Sequence, residues 1–430
     1  MDAAEVRAWL DSHLDREAVV NASAPPPPSL DRMRELMRYM AEPQHQYPVI
    51  HLTGTNGKTS TARIAARILA EAGLTVGTYT SPHLHDVGER ITRNGEPIPA
   101  DELTEVLAAI AATEPLLSGT LSRFEILTAA AYRWFADVAV DVAVVEVGML
   151  GQWDATNIAD GQVAVVTNVG PDHLDYAGTI ENVAREKAGI VKEGSTLVLG
   201  EVDPAFAAVF TATPAATVWR RDEDFACVGN DIAHGGRVVT IRTPSARYDP
   251  YFLSLHGAHQ GDNAATALVA VEAFLGQAVA GAIVEEAFAS VTSPGRLEVV
   301  GRRPLVVLDG AHNTPAAEAV AATLVDEFGD ADPWTVVLGV LRPHDVADLL
   351  AALEPLRIGA VVATAPLESP RAIPAEEVAA AAERAGFDVT VEQSVGAAVR
   401  AAIGGAGRDG RVLVTGSLRT VAAARVALVS

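Results

Sequence analysis

Apolar residues first recur at helical spacing. Val6, Leu10 and Leu14 share one face of a predicted amphipathic helix over residues 2–20. The run Ala24-Pro25-Pro26-Pro27-Pro28 interrupts it, because prolines fix φ, lack N–H donors and favour polyproline II. The run reads as a connector or as a loop on a substrate side. A second helix follows, carrying Met33, Leu36, Met37 and Met40. From Pro48 the pattern changes. Val49-Ile50-His51-Leu52-Thr53 reads as a short strand, followed by a Gly-rich turn and a helix over residues 59–72. Ile64, Ile68 and Leu69 lie on one face of that helix, and Gly73 is its natural stop. Residues 140–147 and 163–167 are near-continuous valine-rich runs, suited to strands buried on both faces of a sheet.

Beyond residue 293 the alternation becomes regular. Strand-like runs at 305–308, 335–338, 360–364 and 411–415, with a weaker one at 389–391, are separated by Ala-rich helical segments such as 315–328 and 375–385. This is the βαβα pattern of a doubly wound parallel sheet. The chain is therefore expected to be α/β, with a boundary near 292–294. A domain over residues 1–293 would hold a parallel-rich sheet, and a smaller Rossmann-like domain would span 294–430. Residues 218–255 read as β-rich and irregular, and no short-period repeat is present.

Length supports this division, since 430 residues exceed one ordinary core. Composition is globular, with 49% apolar and 20% charged residues. The net charge of −23 argues against a general nucleic-acid or anionic-membrane binder, but a local cradle of N–H groups can still hold a nucleotide. Cys227 is the single cysteine, so no intrachain disulfide can form. The N-terminus lacks the basic and apolar regions of a signal peptide, and no 18-residue apolar run exists. A cytoplasmic protein is the expectation.

The strongest chemical signal is Gly54-Thr55-Asn56-Gly57-Lys58-Thr59-Ser60, set between a predicted strand and a predicted helix. Glycines let the backbone curl so that N–H groups face phosphate oxygens, and the helix N-terminus adds positive potential. Lys58 can reach the β- and γ-phosphates, and Thr59 or Ser60 can offer a hydroxyl to Mg²⁺. Leu52 stands where the general P-loop pattern has glycine, so the fit is to a shorter variant. Glu146 ends a valine-rich strand at the predicted ligand-binding edge of the sheet. A lone glutamate there is usually a solvated terminus; beside a phosphate loop it becomes a candidate hard-metal ligand. Asp172-His173 follows the next strand at the same edge. Lys187, read bare, is an ordinary helical lysine.

Together these pieces resemble the folylpolyglutamate synthase/dihydrofolate synthase family of the Mur ligase superfamily. The resemblance also rests on Thr80-Ser81-Pro82-His83-Leu84, Phe124-Glu125, Glu146-Val147-Gly148, Asp154-Ala155-Thr156-Asn157 and Glu186-Lys187-Ala188-Gly189-Ile190. It continues through His259-Gln260 with Asn263, Pro294-Gly295-Arg296-Leu297-Glu298, Asp309-Gly310-Ala311-His312-Asn313 and Gly416-Ser417. It implies that Ser81, Glu146 and His173 help hold Mg²⁺, with Ser60 near the phosphates. It implies that Lys187 is carbamylated, and that Lys58, Lys187 and His173 serve catalysis. Asn263, Arg296, Asp309 and His312 correspond to nucleotide-contacting positions, so ATP would sit between domains. Phe124, Trp153 and Asp154 fall where the pterin-bearing substrate is expected. Three departures stand out. Gln152 replaces an arginine common before Asp-Ala-Thr-Asn, Thr59 replaces a common glycine, and Pro343-His344-Asp345 replaces Asp-Lys-Asp.

The implied reaction is ATP- and Mg²⁺-dependent addition of glutamate to dihydropteroate, to folates, or to both, and the resemblance implies a monomer. The small-molecule substrates leave no place for nucleic acid or membrane. Two other readings remain open. One is a UDP-muramoyl-type Mur ligase, although only 53 residues precede Gly54 and they do not read as a nucleotide-sugar domain. The other is a non-catalytic ATP-binding regulator.

Overall fold

The computed structural model describes residues 1–15, 29–171, 174–329, 332–366 and 369–429. An eight-stranded sheet dominates the first part of the chain. Its spatial order is Glu96–Pro97, Ile91–Arg93, Val76–Tyr79, Val142–Glu146, Val49–Thr53, Gly161–Asn168, Thr196–Glu201 and Thr217–Arg220. The six strands from Val76–Tyr79 onward are parallel; the two at the other edge form antiparallel pairs. Every residue of Val49–Thr53 and Val142–Glu146 is buried, which explains their lack of polar alternation.

Helices cover both faces. Ile64, Ile68 and Leu69 of Lys58–Glu71 pack with Ala264, Leu268 and Val271 of His259–Leu275 on one side. Met33, Leu36 and Met37 pack with Ile126, Tyr132 and Phe135 of Arg123–Asp137 on the other. The first helix is shorter than its periodicity suggests. It spans Ala3–Asp11, capped by Asp2 at its start and Ser12 at its end, and Leu14 lies exposed beyond it. The predicted remainder up to residue 20 and the proline run lie largely outside the described residues. The irregular segment 218–255 resolves into the edge strand Thr217–Arg220 and a three-stranded antiparallel sheet, Ala226–Ala233, Gly236–Arg242 and Arg247–Leu253. That sheet packs Val239, Ile241 and Leu253 against the His259–Leu275 side of the first core.

A six-stranded sheet follows, ordered Glu298–Arg302, Leu305–Leu308, Arg411–Thr415, Trp334–Leu338, Ile358–Ala363 and Val389–Val391. All but the first strand run parallel. Separate cores on its two faces give the doubly wound arrangement. Among the described residues, no strand pairs across residue 294. Contact between the two parts includes a buried ionic cluster at the end of the helix Thr314–Phe328. Glu327 accepts from Arg237 (2.9 Å) and Gly257 N (2.8 Å), and faces His256 Nδ1 at 2.6 Å. Among the described residues no helix is long and apolar enough to cross a membrane.

Candidate functional site

The strands Val49–Thr53 and Val142–Glu146 end side by side, with Leu52 in register with Glu146. Their carboxyl ends open into a cleft of about 1850 Å³ lined by both parts of the chain. The phosphate loop runs along one wall. Gly54 passes so close to Thr167 that a Cβ there would overlap its hydroxyl. Gly57 has φ +81°, and a Cβ would lie 2.5 Å from Asn263 Oδ1. Glycine meets both demands. Asn168 braces the loop, its Oδ1 accepting from Thr55 N (3.0 Å) and Asn56 N (2.9 Å). Lys58 opens the helix Lys58–Glu71 and donates to Gly54 O (2.7 Å) and Thr55 O (3.1 Å), folding its ammonium over the loop.

Glu146 is buried behind that loop. Thr59 Oγ1 donates to its two oxygens at 2.9 and 3.1 Å, and Ser81 N donates at 3.2 Å. Burial pushes the carboxyl up, while Lys58, the Thr59 and Ser81 hydrogen bonds and Arg296 draw it back. The hydroxyl beside the carboxylate is thus that of Thr59. Ser60, the residue expected near the phosphates, is buried with its Oγ 3.3 Å from Ser293 Oγ and 3.5 Å from Gln260 Nε2. One residue along a helix turns the side chain by about 100°, so only one of the two can face Glu146. Ser81 lines the cleft beside Glu146. His173 and Asp172 lie outside the described residues.

The opposite wall comes from the second part. Arg296, Asp309 and His312 line the cleft together with Asn263 from the first part. Asp309 accepts from Leu297 N (2.8 Å) and Ala311 N (2.7 Å). Burial raises its carboxyl, with Arg296 and those N–H groups pulling the other way. His312 Nδ1 lies 2.9 Å from Gly310 O, and its ring centre is 5.0 Å from that of His344. Asn313 caps the helix Thr314–Phe328 and reaches across to Asn56 Oδ1 at 3.3 Å, joining the walls.

The third wall is the loop 148–157. Phe124 sits at the start of Arg123–Asp137, fixed by a capping box between Ser122 and Glu125. Its ring covers Gly148, where a Cβ would clash, and lies 6.1 Å from Tyr79. Trp153 and Gln152 line the cleft, and Trp153 is 41% exposed. Asp154 lines it too, but its oxygens already accept from Met149 N (3.0 Å), Thr156 N (3.0 Å) and Thr156 Oγ1 (2.5 Å). Lys187, 2% exposed, is buried in Ile180–Ala188. Cys227 does not line the cleft, and burial pushes its thiol up to about 11.

Sequence reasoning missed Asn168 and Asn313, and it put Ser60 among the metal ligands, whereas both residues line the cleft and it is the Thr59 hydroxyl that meets Glu146. Asn168 could have been suspected from its place at the carboxyl end of Gly161–Asn168. Asn313 carries no such local signal for a contact 257 residues away in sequence.

A phosphate loop on a parallel sheet, a buried glutamate behind it and a second α/β domain closing the cleft define an ATP-dependent ligase of the Mur type. Residues 52–271 match the Mur ligase middle domain, and residues 295–418 match the Mur ligase glutamate ligase domain. The dihydrofolate synthase/folylpolyglutamate synthase of Mycobacterium tuberculosis is 43% identical over 387 residues, covering 84% of this chain and 79% of that protein. The Bacillus subtilis protein of the same name is 35% identical, covering 83% and 85%. The solved Mycobacterium tuberculosis folylpolyglutamate synthase complexed with ADP and AMPPCP superposes with a TM-score of 0.90 at 39% identity, over 99% of this chain and 97% of that one. The chain belongs to the folylpolyglutamate synthase/dihydrofolate synthase family.

Proposed function

We propose that this chain joins L-glutamate to dihydropteroate, to folates, or to both. The observation that carries the reading is the cleft itself, with Lys58, Thr59 and Glu146 on one wall and Arg296, Asp309 and His312 on another. The acceptor carboxylate attacks the γ-phosphorus of ATP, an O–P bond forms, the β–γ bridge breaks and ADP leaves. Lys58 and the loop N–H groups offset charge on the phosphate oxygens, which suits a reaction that runs on positioning and electrostatics. The glutamate amine gives up a proton and attacks the acyl carbon; the C–O bond breaks and inorganic phosphate departs. Phe124, Trp153 and Asp154 form the surface proposed for the pterin-bearing acceptor.

The donor set fits Mg²⁺, because a buried carboxylate beside a hydroxyl offers hard oxygen ligands and leaves room for phosphate oxygens. Thr59, in place of the expected Ser60, and Glu146 would hold it together with the expected Ser81 and His173; bound there, it would supply positive charge to the β- and γ-phosphates. The placement of Lys187, buried in the helix Ile180–Ala188 where its backbone packs against Gly151 of the cleft loop, supports its proposed carbamylation. We place the domain boundary at 293/294 and read the protein as a cytoplasmic monomer acting on small molecules.

The test is mass spectrometry of products from purified protein with ATP, Mg²⁺ and glutamate. Dihydropteroate and tetrahydrofolate are supplied separately. One added glutamyl unit on the first establishes dihydrofolate synthesis; a ladder on the second establishes polyglutamylation. No glutamyl product in either, from folded ATP-binding protein, overturns the reading.

A further inference from the structure

The chain contains 29 arginines but only three lysines, Lys58, Lys187 and Lys192. Lysines are so few that each place where one stands invites the question of what its ammonium does there. Arginine is a planar fork, whereas the lysine ammonium is a compact point charge on a slender stem. Lys58 belongs to the phosphate loop, and Lys187 is the buried lysine beside the cleft. Lys192 has no role in the chemistry above and does not line the cleft.

Lys192 follows the helix Ile180–Ala188 and is half-buried, with its own carbonyl held by Ser195 N (3.2 Å) and Ser195 Oγ (2.7 Å). Its Nζ donates to the carbonyl of Asn157 at 3.2 Å. Asn157 is the hub of the acceptor wall. Its Nδ2 donates to Gln152 O (2.9 Å) and to Gly189 O (3.1 Å), stitching the loop to the end of the helix that carries Lys187. Next to it, Thr156 Oγ1 donates to Asp154 and lies 2.9 Å from Nε2 of the buried His51. Asp154 in turn holds Met149 N, and Thr53 Oγ1 holds Leu150 O at 2.6 Å. Burial draws the ammonium's pKa down, with Asp160 attracting the charge and Arg34 repelling it.

We propose that Lys192 is a positioning residue for the acceptor: its ammonium, bonded to the Asn157 carbonyl, holds the turn Ala155–Ile158 and through it the substrate-facing loop 148–154. This rests on the acceptor assignment above for its effect on catalysis, but not for its effect on the loop. The slender ammonium suits a half-buried position where one carbonyl is the acceptor, and the wider, planar guanidinium would present its donors to that carbonyl in a different geometry.

The experiment compares wild type, Lys192→Met, Lys192→Arg and the exposed-site control Arg408→Lys. Hydrogen exchange by mass spectrometry should show peptides across 148–158 exchanging about tenfold faster in both Lys192 variants, with 54–60 unchanged. Steady-state kinetics should show the acceptor KM raised about tenfold while the ATP KM stays within about twofold. Arg408→Lys should match wild type in both readouts. Wild-type exchange across 148–158 in both Lys192 variants overturns the proposal, as does a wild-type Lys192→Arg or a uniform rise in exchange over the whole chain. Should Lys192→Met fail to fold, Lys192→Arg, which keeps the charge, decides the matter alone. A wild type that forms no glutamyl product overturns the functional reading instead, and the exchange data still decide this one.

Discussion

The wall proposed to face the phosphates and the wall proposed to face the acceptor rise from the same sheet edge, yet they are held by different means. The phosphate wall is almost all local. Two glycines, a helix N-terminus and a lysine folded back on its own loop make it within seven residues, 54–60, with Asn168 as the outside brace. The acceptor wall is a relay of side chains from distant segments: His51 meets the Thr156 hydroxyl, Phe124 covers Gly148, and Asp154, Asn157 and Lys192 each hold another residue's backbone. The first can be built by a short motif on any suitable strand and helix; the second depends on the whole domain. Substitutions should therefore damage the first sharply and without loss of fold, and the second gradually and together with stability.

The sharpest break is Lys58→Ala. Removing the only loop ammonium should lower turnover by about 10³-fold or more while leaving acceptor affinity and thermal midpoint near wild type. Product formation, acceptor titration and a melting curve check it; normal ligation by the folded variant would sink the mechanism. Gly57→Ala comes next. A Cβ at φ +81° against Asn263 costs on the order of 1–3 kcal/mol, so nucleotide affinity measured by calorimetry should fall about 10- to 100-fold.

The acceptor wall answers to pH. His51 is fully buried, and its pKa is lowered from 6.5 to about 3, by burial first and by Lys192 second. A histidine held neutral in the fold contributes full stability above its unfolded value, and that contribution drains away as the pH falls towards the folded value. Between neutral pH and pH of about 5 the loss is about 2 kcal/mol. Urea unfolding at both pH values should show it, and His51→Asn should flatten that difference; an equal loss in the variant assigns it elsewhere. The smallest effect is expected of Phe124→Ala. Losing the ring over Gly148 should raise the acceptor KM by about tenfold, or ~1.4 kcal/mol, with the ATP KM unmoved.

The same division explains what could be read from residues alone. The strand-loop-helix of the phosphate wall, the valine-rich strands and the βαβα second domain are local patterns, and they stand where periodicity puts them. The three-stranded sheet in 226–253 stayed illegible because its exposed positions and its irregular register blur the alternation. Choosing between Thr59 and Ser60 required the rotation of one helix relative to Glu146, which no spacing encodes. Asp154 was legible as a member of the cleft. That its oxygens are spent on the loop's own N–H and hydroxyl groups was not.

The helix Thr314–Phe328 touches the first domain near both of its ends, and the two contacts differ in kind. Glu327 is locked among Arg237, His256 and a backbone N–H out of reach of water, whereas Asn313 meets Asn56 through one amide contact of 3.3 Å. Fifteen residues of helix span about 22 Å. A swing of the second domain by about 10° around the buried end would carry the other end through an arc of about 4 Å, enough to part the two asparagines while the ionic end scarcely moves. The helix is thus held by a buried ionic cluster at one end and by a single amide contact at the other, and the lightly held end lies where the nucleotide phosphates would be held.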